Sequence, residues 1–250
     1  MSSGNAIPTS TGMMGGYPST TNAYTFIRNS DILERMADSS LVEDASEVTG
    51  ESEMLQLRQE NFVQNAADVY AVRWSGGGGF GDPLLRDSER IAHDLEHLNI
   101  TPAAARDIFG AVLDADEQVD VAATAKNRDQ IREARLTRLG NGHAPREIHS
   151  GEATLAAGDN LAVYGASGVA HWACGHCAAD LGPLADNYND VCLLEDLPVS
   201  RSNPLVGDPS NFIDDAVAFR LFYCPACGSQ IDNEIAVEQD PVMRDIELVL

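Results

Sequence analysis

Residues Trp74–Asp87 read WSGGGGFGDPLLRD, and the fold depends on what four consecutive glycines followed by Asp-Pro are for. Gly76, Gly78 and Gly81 fit the letters G-x-G-x-x-G of a dinucleotide loop. That reading would make the chain a parallel α/β protein holding phosphate at a helix N-terminus. The neighbouring residues oppose it. Pro83 drives Asp82 toward extended conformations rather than helix, and helix signals resume only at Asp87. No second strand with an acidic end follows at the usual distance, and the Lys-Ser/Thr of a phosphate loop is missing. The alternative is a corner in which several residues take positive φ and the backbone lies too close to another segment for a Cβ. On that reading the chain is α+β: a β-rich and helical unit followed by a small, mostly-β unit.

N-terminal to the corner, Tyr24–Ile27 and Ala67–Trp74 carry the β-branched and aromatic residues of strands, with an acidic surface excursion between them. The first twenty or so residues, rich in Ser, Thr, Gly and Asn, show no hydrophobic periodicity and read as an extended arm over 1–22. C-terminal to the corner, Asp87 is an N-cap candidate, with Ile91, Leu95 and Leu98 along one helix face. Thr101-Pro102 opens a second helix, and 110–114 reads as a brief strand. A longer helix is expected from Asp120 to Leu139, with Gly140 at C′. Its Arg128, Arg132, Arg135 and Arg138 read as cations near a helix C-terminus on a solvated face. Gly, Asn, Pro and His mark 140–150 as a linker, after which short strands follow at Leu161–Tyr164, Phe219–Tyr223 and Ile231–Val237. The expected units are therefore 1–22, 23–145 and 146–250.

A formal net charge of −23, from 16 Lys+Arg against 39 Asp+Glu, repels nucleic acid and anionic membranes. Lys126 is the only lysine; adaptation to high salt and a GC-rich genome explain this equally well. There is no apolar run of membrane-spanning length, and MSSGNAIPTSTGMMGG lacks the features of a signal peptide, so a cytoplasmic protein is expected.

The segments HWACGHCAADLG (171–182) and FYCPACGSQ (222–230) place four of the five cysteines in two C-x-x-C pairs: Cys174 with Cys177, and Cys224 with Cys227. Each turn aims two thiolates at one point, Gly175 and Gly228 relax the turns, and four thiolates satisfy tetrahedral zinc with no position left for substrate. The competing readings are four reduced buried thiols or a redox motif. Thioredoxin-like motifs come singly on a βα turn, whereas Cys224 follows the strand-like FRLFY with no helix after it. His176 lies inside the first turn and could replace a cysteine; Cys192 reads as an ordinary apolar position.

His93, Glu96 and His97 fit the letters H-x-x-E-H, but no third ligand is identifiable and a solvated helix face is expected. Ser167 lacks the glycine at +2 of a nucleophile elbow. The carboxylates are too scattered to single out an acid and base, so no catalytic or cofactor-binding residue is expected in this chain.

SGGGGFGDPLLRDSERIAHDL, then TPAAARDIFGAVLD and VAATAKNRDQIREAR, preceded by GGYPSTTNAYTFIRN, resemble the C-terminal tail of the hydantoinase B/oxoprolinase family over roughly residues 8–139. A full member is far longer, so the resemblance implies a severed tail that completes a separate large subunit. Residues 151–250 resemble the small gamma subunit of acetone carboxylase in the two cysteine pairs, FYCPACGSQIDNEIAV and DPVMRDIEL. Together the resemblances imply a hetero-oligomeric assembly, an ATP-dependent ketone carboxylase of the acetone/acetophenone type. Hydantoinase A-like and B-like large subunits would bind ATP in it, and this chain would be a non-catalytic, zinc-ribbon accessory subunit. Two other readings stay open: an accessory subunit of an ATP-dependent hydantoinase, lactamase or oxoprolinase, and a free-standing zinc-ribbon adaptor.

Overall fold

The computed structural model describes residues 2–248 except 41, 43, 62, 141–144, 167 and 204. The middle of the expected linker and Ser167 lie outside the described residues.

The N-terminal region contains β1 (Ser2–Ser3), β2 (Ala23–Arg28), α1 (Ile32–Ala37), β3 (Glu51–Met54), β4 (Arg58–Gln59) and β5 (Val69–Arg73). β2 lies between β3 and β5 in an antiparallel sheet, and β1 pairs with β4. Tyr24 and Phe26, two residues apart and so on one face, form a small core with Leu55, against which Leu57 and Tyr70 pack. All four residues of β3 are exposed, as an acidic surface excursion requires.

Three helices follow the corner: α2 (Ser88–Glu96), α3 (Pro102–Asp107) and α4 (Val121–Leu139). Each begins at a side-chain cap: Asp87 accepts from the Glu89 N–H, Thr101 from that of Ala104 and Asp120 from that of Ala123. Ile91 of α2, Ala105 of α3 and Ala111 form a small core, joined by Leu95, Phe109 and Val119. Three expectations need correction. Leu98 is 90% exposed with φ +56°, because the helix ends at Glu96 before its third apolar position is reached. The brief strand over 110–114 shrinks to a single bridge between Leu113 and Val119. Gly140 is the C-cap itself, with φ −81°, not a left-handed C′ residue.

The arginine stripe of α4 is also corrected. Arg128 and Arg135 are buried, because the helix is a strut between two packed regions rather than a surface element. At its N-terminal end, Arg128 Nε donates to the Phe109 carbonyl at 2.9 Å and Thr124 Oγ1 accepts from the Val112 N–H. Toward its C-terminal end, Arg135 lies 4.4 Å over the Tyr223 ring and donates to the Gly228 carbonyl at 3.0 Å. Arg138 makes a two-pronged pair with Glu195.

The C-terminal region forms two antiparallel sheets. β6 (Leu155–Ala157), β7 (Leu161–Tyr164), β8 (His171–Cys174) and β9 (Asp180–Pro183) pair in chain order. β10 (Leu193–Pro198), β11 (Val217–Tyr223) and β12 (Gln230–Val237) form the second sheet. β11 is buried on both faces, which explains its nearly continuous apolar sequence VAFRLFY. Phe219, Leu221 and Tyr223 pack with Leu136, Leu139 and Tyr17 on the α4 side. Phe222 and Cys224 join Leu161, Val163, Trp172, Leu181, Tyr188 and Ile231 on the other. Arg220, the one charge in this strand, is satisfied by Glu234 at 2.8 Å, Asp196 at 3.2 Å and the carbonyls of Glu238 and Asp240.

The glycines do form a close-packed corner, and its partner is part of the segment expected to be an extended arm. A Cβ on Gly78 would sit 2.2 Å from the Thr11 carbonyl oxygen, and one on Gly16 would sit 2.3 Å from the Gly79 backbone. Of the corner glycines only Gly81 takes positive φ, +75°, not the several expected; the glycines at 76–79 stay outside the left-handed region. Gly76 and Gly77 meet nothing within 4 Å, so close approach accounts for only part of the run. Backbone bonds join Met13 to Gly79, Gly79 to Tyr17 and Gly81 to Met13. On its other side the 12–17 segment is held by side chains of the C-terminal region. Asn160 donates to the Met14 carbonyl, Gln230 to that of Gly15 and Asn233 to that of Gly16.

Asp82 closes the corner. Its buried carboxylate accepts from the Leu84 N–H at 2.9 Å, starting the 3-10 turn at Pro83, and from the Gln230 N–H on β12, also at 2.9 Å. Arg135 lies 3.8 Å away. Asp82→Ala would leave two buried N–H groups without their acceptor and a guanidinium without its counter-charge, and is expected to cost about 3 kcal/mol in urea unfolding. Asp232 on β12 gives a pH signature. Burial, then the charge of Asp245, pushes its carboxyl up to about 7. The folded state therefore holds this proton more tightly than the unfolded chain, whose aspartates titrate near pH 4. Stability from this group falls as pH rises from about 4 to about 7 and then levels off. Asp232→Asn should gain on the wild type in urea midpoint between about pH 5 and about pH 8.

Candidate metal centre

Each C-x-x-C pair sits in the turn of a hairpin, the first between β8 and β9 and the second between β11 and β12. The two turns share one backbone plan. In the first, the Cys174 N–H donates to the Ala179 carbonyl and the Ala178 N–H returns to Cys174. In the second, Cys224 donates to the Ser229 carbonyl and Gly228 returns to Cys224. The residue after the second cysteine is left-handed in both, with φ +56° at Ala178 and +71° at Gly228. Gly175 has a different reason to be glycine: a Cβ there would lie 2.6 Å from the Asp159 carbonyl oxygen.

The hairpins face each other and bring together the four expected cysteines. Cys174 Sγ lies 3.8 Å from Cys227 Sγ, and Cys177 Sγ 3.7 Å from Cys224 Sγ; all four sulfurs fall within 4.8 Å of one another. A disulfide needs about 2.05 Å, and all five cysteines are free. Zn–S bonds of about 2.3 Å in a tetrahedron place the sulfurs about 3.8 Å apart, close to the cross-hairpin distances. Without a cation the thiols compete for protons. Hydrogen bonding to Cys177 drives Cys174 far above the usual thiol range, and bonding to Cys174 does the same to Cys224. Cys177 and Cys227 are pulled down, chiefly through their bonds to Cys174. Four thiolates in this space require a positive ion between them, so the donor set fits a metal such as zinc.

His176 is exposed and its donor atoms do not join the cysteine set. Cys192 is buried away from it, as expected of an apolar position, and burial raises its thiol. His93 and His97 stack at 4.0 Å between ring centroids near the end of α2, and among the described residues they join no group of metal-ligating side chains. One further cluster escapes sequence reasoning. His149, His171 and Asp180 converge with donor atoms within 4.8 Å. They lie in no recognisable spacing, and only the pairing of 148 with 179 and of β8 with β9 assembles them.

Residues 150–250 match the family of the acetone carboxylase gamma subunit. The acetone carboxylase alpha subunit of Xanthobacter autotrophicus is 28% identical over 144 residues, covering 51% of this chain and 19% of that protein. Over these stretches the chain is similar to acetone carboxylase subunits. A solved nucleotide-free structure of acetone carboxylase gives 28% identity, covering 51% of this chain and 19% of its own, with a TM-score of 0.41. The acetone carboxylase gamma-subunit match encloses both cysteine turns. The alpha-subunit match takes in more of the chain than 150–250 can hold, so it reaches into the N-terminal region. This chain accounts for about a fifth of the length of that alpha subunit. Among the described residues, no helix is long and apolar enough to cross a membrane.

The matched turns differ at one position, Ala178 against Gly228, that backbone geometry makes costly for alanine. Ala178→Gly should raise stability by about 0.5 kcal/mol: relief of left-handed strain of about 1–2 kcal/mol outweighs the added freedom of the unfolded chain. The thermal midpoint of the metal-loaded protein reads this out.

Proposed function

We propose that the chain is a non-catalytic, zinc-binding accessory subunit of a cytoplasmic ATP-dependent ketone carboxylase of the acetone or acetophenone type. The observation that carries this reading is that one chain joins a gamma-subunit match to sequence related to an alpha subunit of the same enzyme. The organisation we propose is an arm over 1–22, a tail domain over 23–145 that completes a hydantoinase B-like large subunit, and a zinc ribbon over 146–250. Cys174, Cys177, Cys224 and Cys227 would hold zinc. Four thiolates leave it no open position, so the ion contributes order and not substrate activation. The chemistry belongs to the hydantoinase A-like and B-like partners, which would activate the ketone and bicarbonate with ATP and join them into a 3-oxo acid.

The surface near the glycine corner supports a docked role over a free-standing adaptor. Met13 and Phe80, joined by a backbone bridge, are 63% and 61% exposed, and Trp74 is 70% exposed. The exposed apolar pair of Met13 and Phe80 favours a protein partner. The gamma-subunit match favours carboxylation over hydantoin, lactam or oxoproline hydrolysis.

Affinity purification of the tagged chain from its native cells tests the reading. Two large chains should co-purify in fixed ratio, hydrolyse ATP with ketone plus bicarbonate rather than with cyclic amides, and dissociate on chelation as the C-terminal half melts. A chain that emerges alone overturns the subunit reading, and metal-free protein that melts unchanged overturns the structural zinc.

A further inference from the structure

We propose that His149, His171 and Asp180 form a second metal site, distinct from the cysteine centre, for a divalent transition-metal ion bound through two imidazole nitrogens and one carboxylate oxygen. The three donor atoms lie within 4.8 Å of one another. Asp180 Oδ2 lies 3.0 Å from His149 Nε2 and 2.6 Å from His171 Nδ1. An ion with ligand bonds of about 2.1 Å at right angles places neighbouring donors about 3.0 Å apart, close to the two imidazole-to-carboxylate distances.

The site is built by the fold, not by chance proximity of flexible side chains. The His149 N–H donates to the Ala178 carbonyl, the Asp180 N–H to that of Glu147, and 148 pairs with 179. His171 is the first residue of β8 and pairs with Pro183 of β9. Further contacts orient the ligands. Asp180 Oδ1 accepts from the Gly182 N–H at 2.8 Å, which leaves Oδ2 as the converging atom. The His149 ring stacks on Tyr164 at 4.8 Å and 10°. Such supporting contacts are what hold metal ligands in register. Burial works against the charge of Asp180, but the Gly182 N–H and then His171 outweigh it and keep the carboxyl below its usual range, so a carboxylate is available at neutral pH.

Imidazole and carboxylate donors suit zinc, iron, cobalt, nickel or manganese, and three ligands leave positions for water. The His171 side chain is 39% exposed, which gives the ion an entry path. Trp172 and Cys174 on the same strand belong to the buried core, whereas His171, an odd number of residues from Cys174, is directed to the other side of β8. The hairpin that supplies the first cysteine turn thus carries a second donor set on its far side.

The test uses the full chain with its cysteine set filled by zinc and then titrated with Co2+. One further equivalent of Co2+ should bind without thiolate-to-cobalt charge-transfer absorption, giving about two metal ions per chain. His149→Ala and Asp180→Asn should each weaken Co2+ binding at least about tenfold while zinc stays at about one equivalent. The retained zinc separates this result from the fate of the cysteine centre. Where a substitution prevents folding, His171→Gln, which preserves a hydrogen bond to Asp180 but removes the imidazole, gives the same readout. Wild-type protein that takes up no Co2+ beyond its zinc, or variants that bind Co2+ as tightly as wild type, would overturn the proposal.

Discussion

The structure turns on one buried carboxylate. Asp82 ends the glycine corner, caps the turn at Pro83 and accepts the Gln230 N–H at the start of β12, three residues past Cys227. A carboxylate in this position is tolerable only because donors surround it. Their geometry also fixes where the N-terminal region meets the second cysteine turn. The bare backbone of Gly78 and Gly79 then allows the 11–17 segment to lie flat, and Asn160, Gln230 and Asn233 grip that segment from its other side. The glycines and the Asp-Pro are therefore two parts of one joint.

The α4 helix is the second member of that joint. Its backbone at Arg132 approaches Gly228 so closely that a Cβ there would be 2.7 Å from the Arg132 carbonyl oxygen. Gly228 thus meets two demands, left-handed φ for the cysteine turn and a surface flat enough for the helix. Order in the second cysteine turn and docking of the helix are coupled through one residue. Arg135, stacked on Tyr223 and bonded to the Gly228 carbonyl, adds a polar contact across the same surface.

Features set by local chemistry could be read from the sequence. The caps at Asp87, Thr101 and Asp120, the strands around Phe26, Val163 and Phe222, and the four cysteines all depend on neighbouring residues or fixed spacing. Features set by long-range packing could not. Arg128 and Arg135 look like surface charges until the elements that bury them are in place, and the 12–17 segment shows no periodicity because its contacts are made by backbone. His149, His171 and Asp180 are joined only by sheet pairing, which spacing does not record. Strands β8 and β9 leave no strand signal, because HWAC and DLGP are too short to show alternation.

β11 lies between two apolar layers, and the strand runs directly into Cys224. Its amides can reach solvent only when both layers part. In hydrogen-exchange terms it belongs to the slowest-opening unit, whose exchange tracks global unfolding. The acidic outer surface can respond to salt and pH while this strand stays closed. Loosening that begins at the rim must cross α4 on one side or the Trp172 core on the other before it reaches the strand that leads into the second cysteine turn.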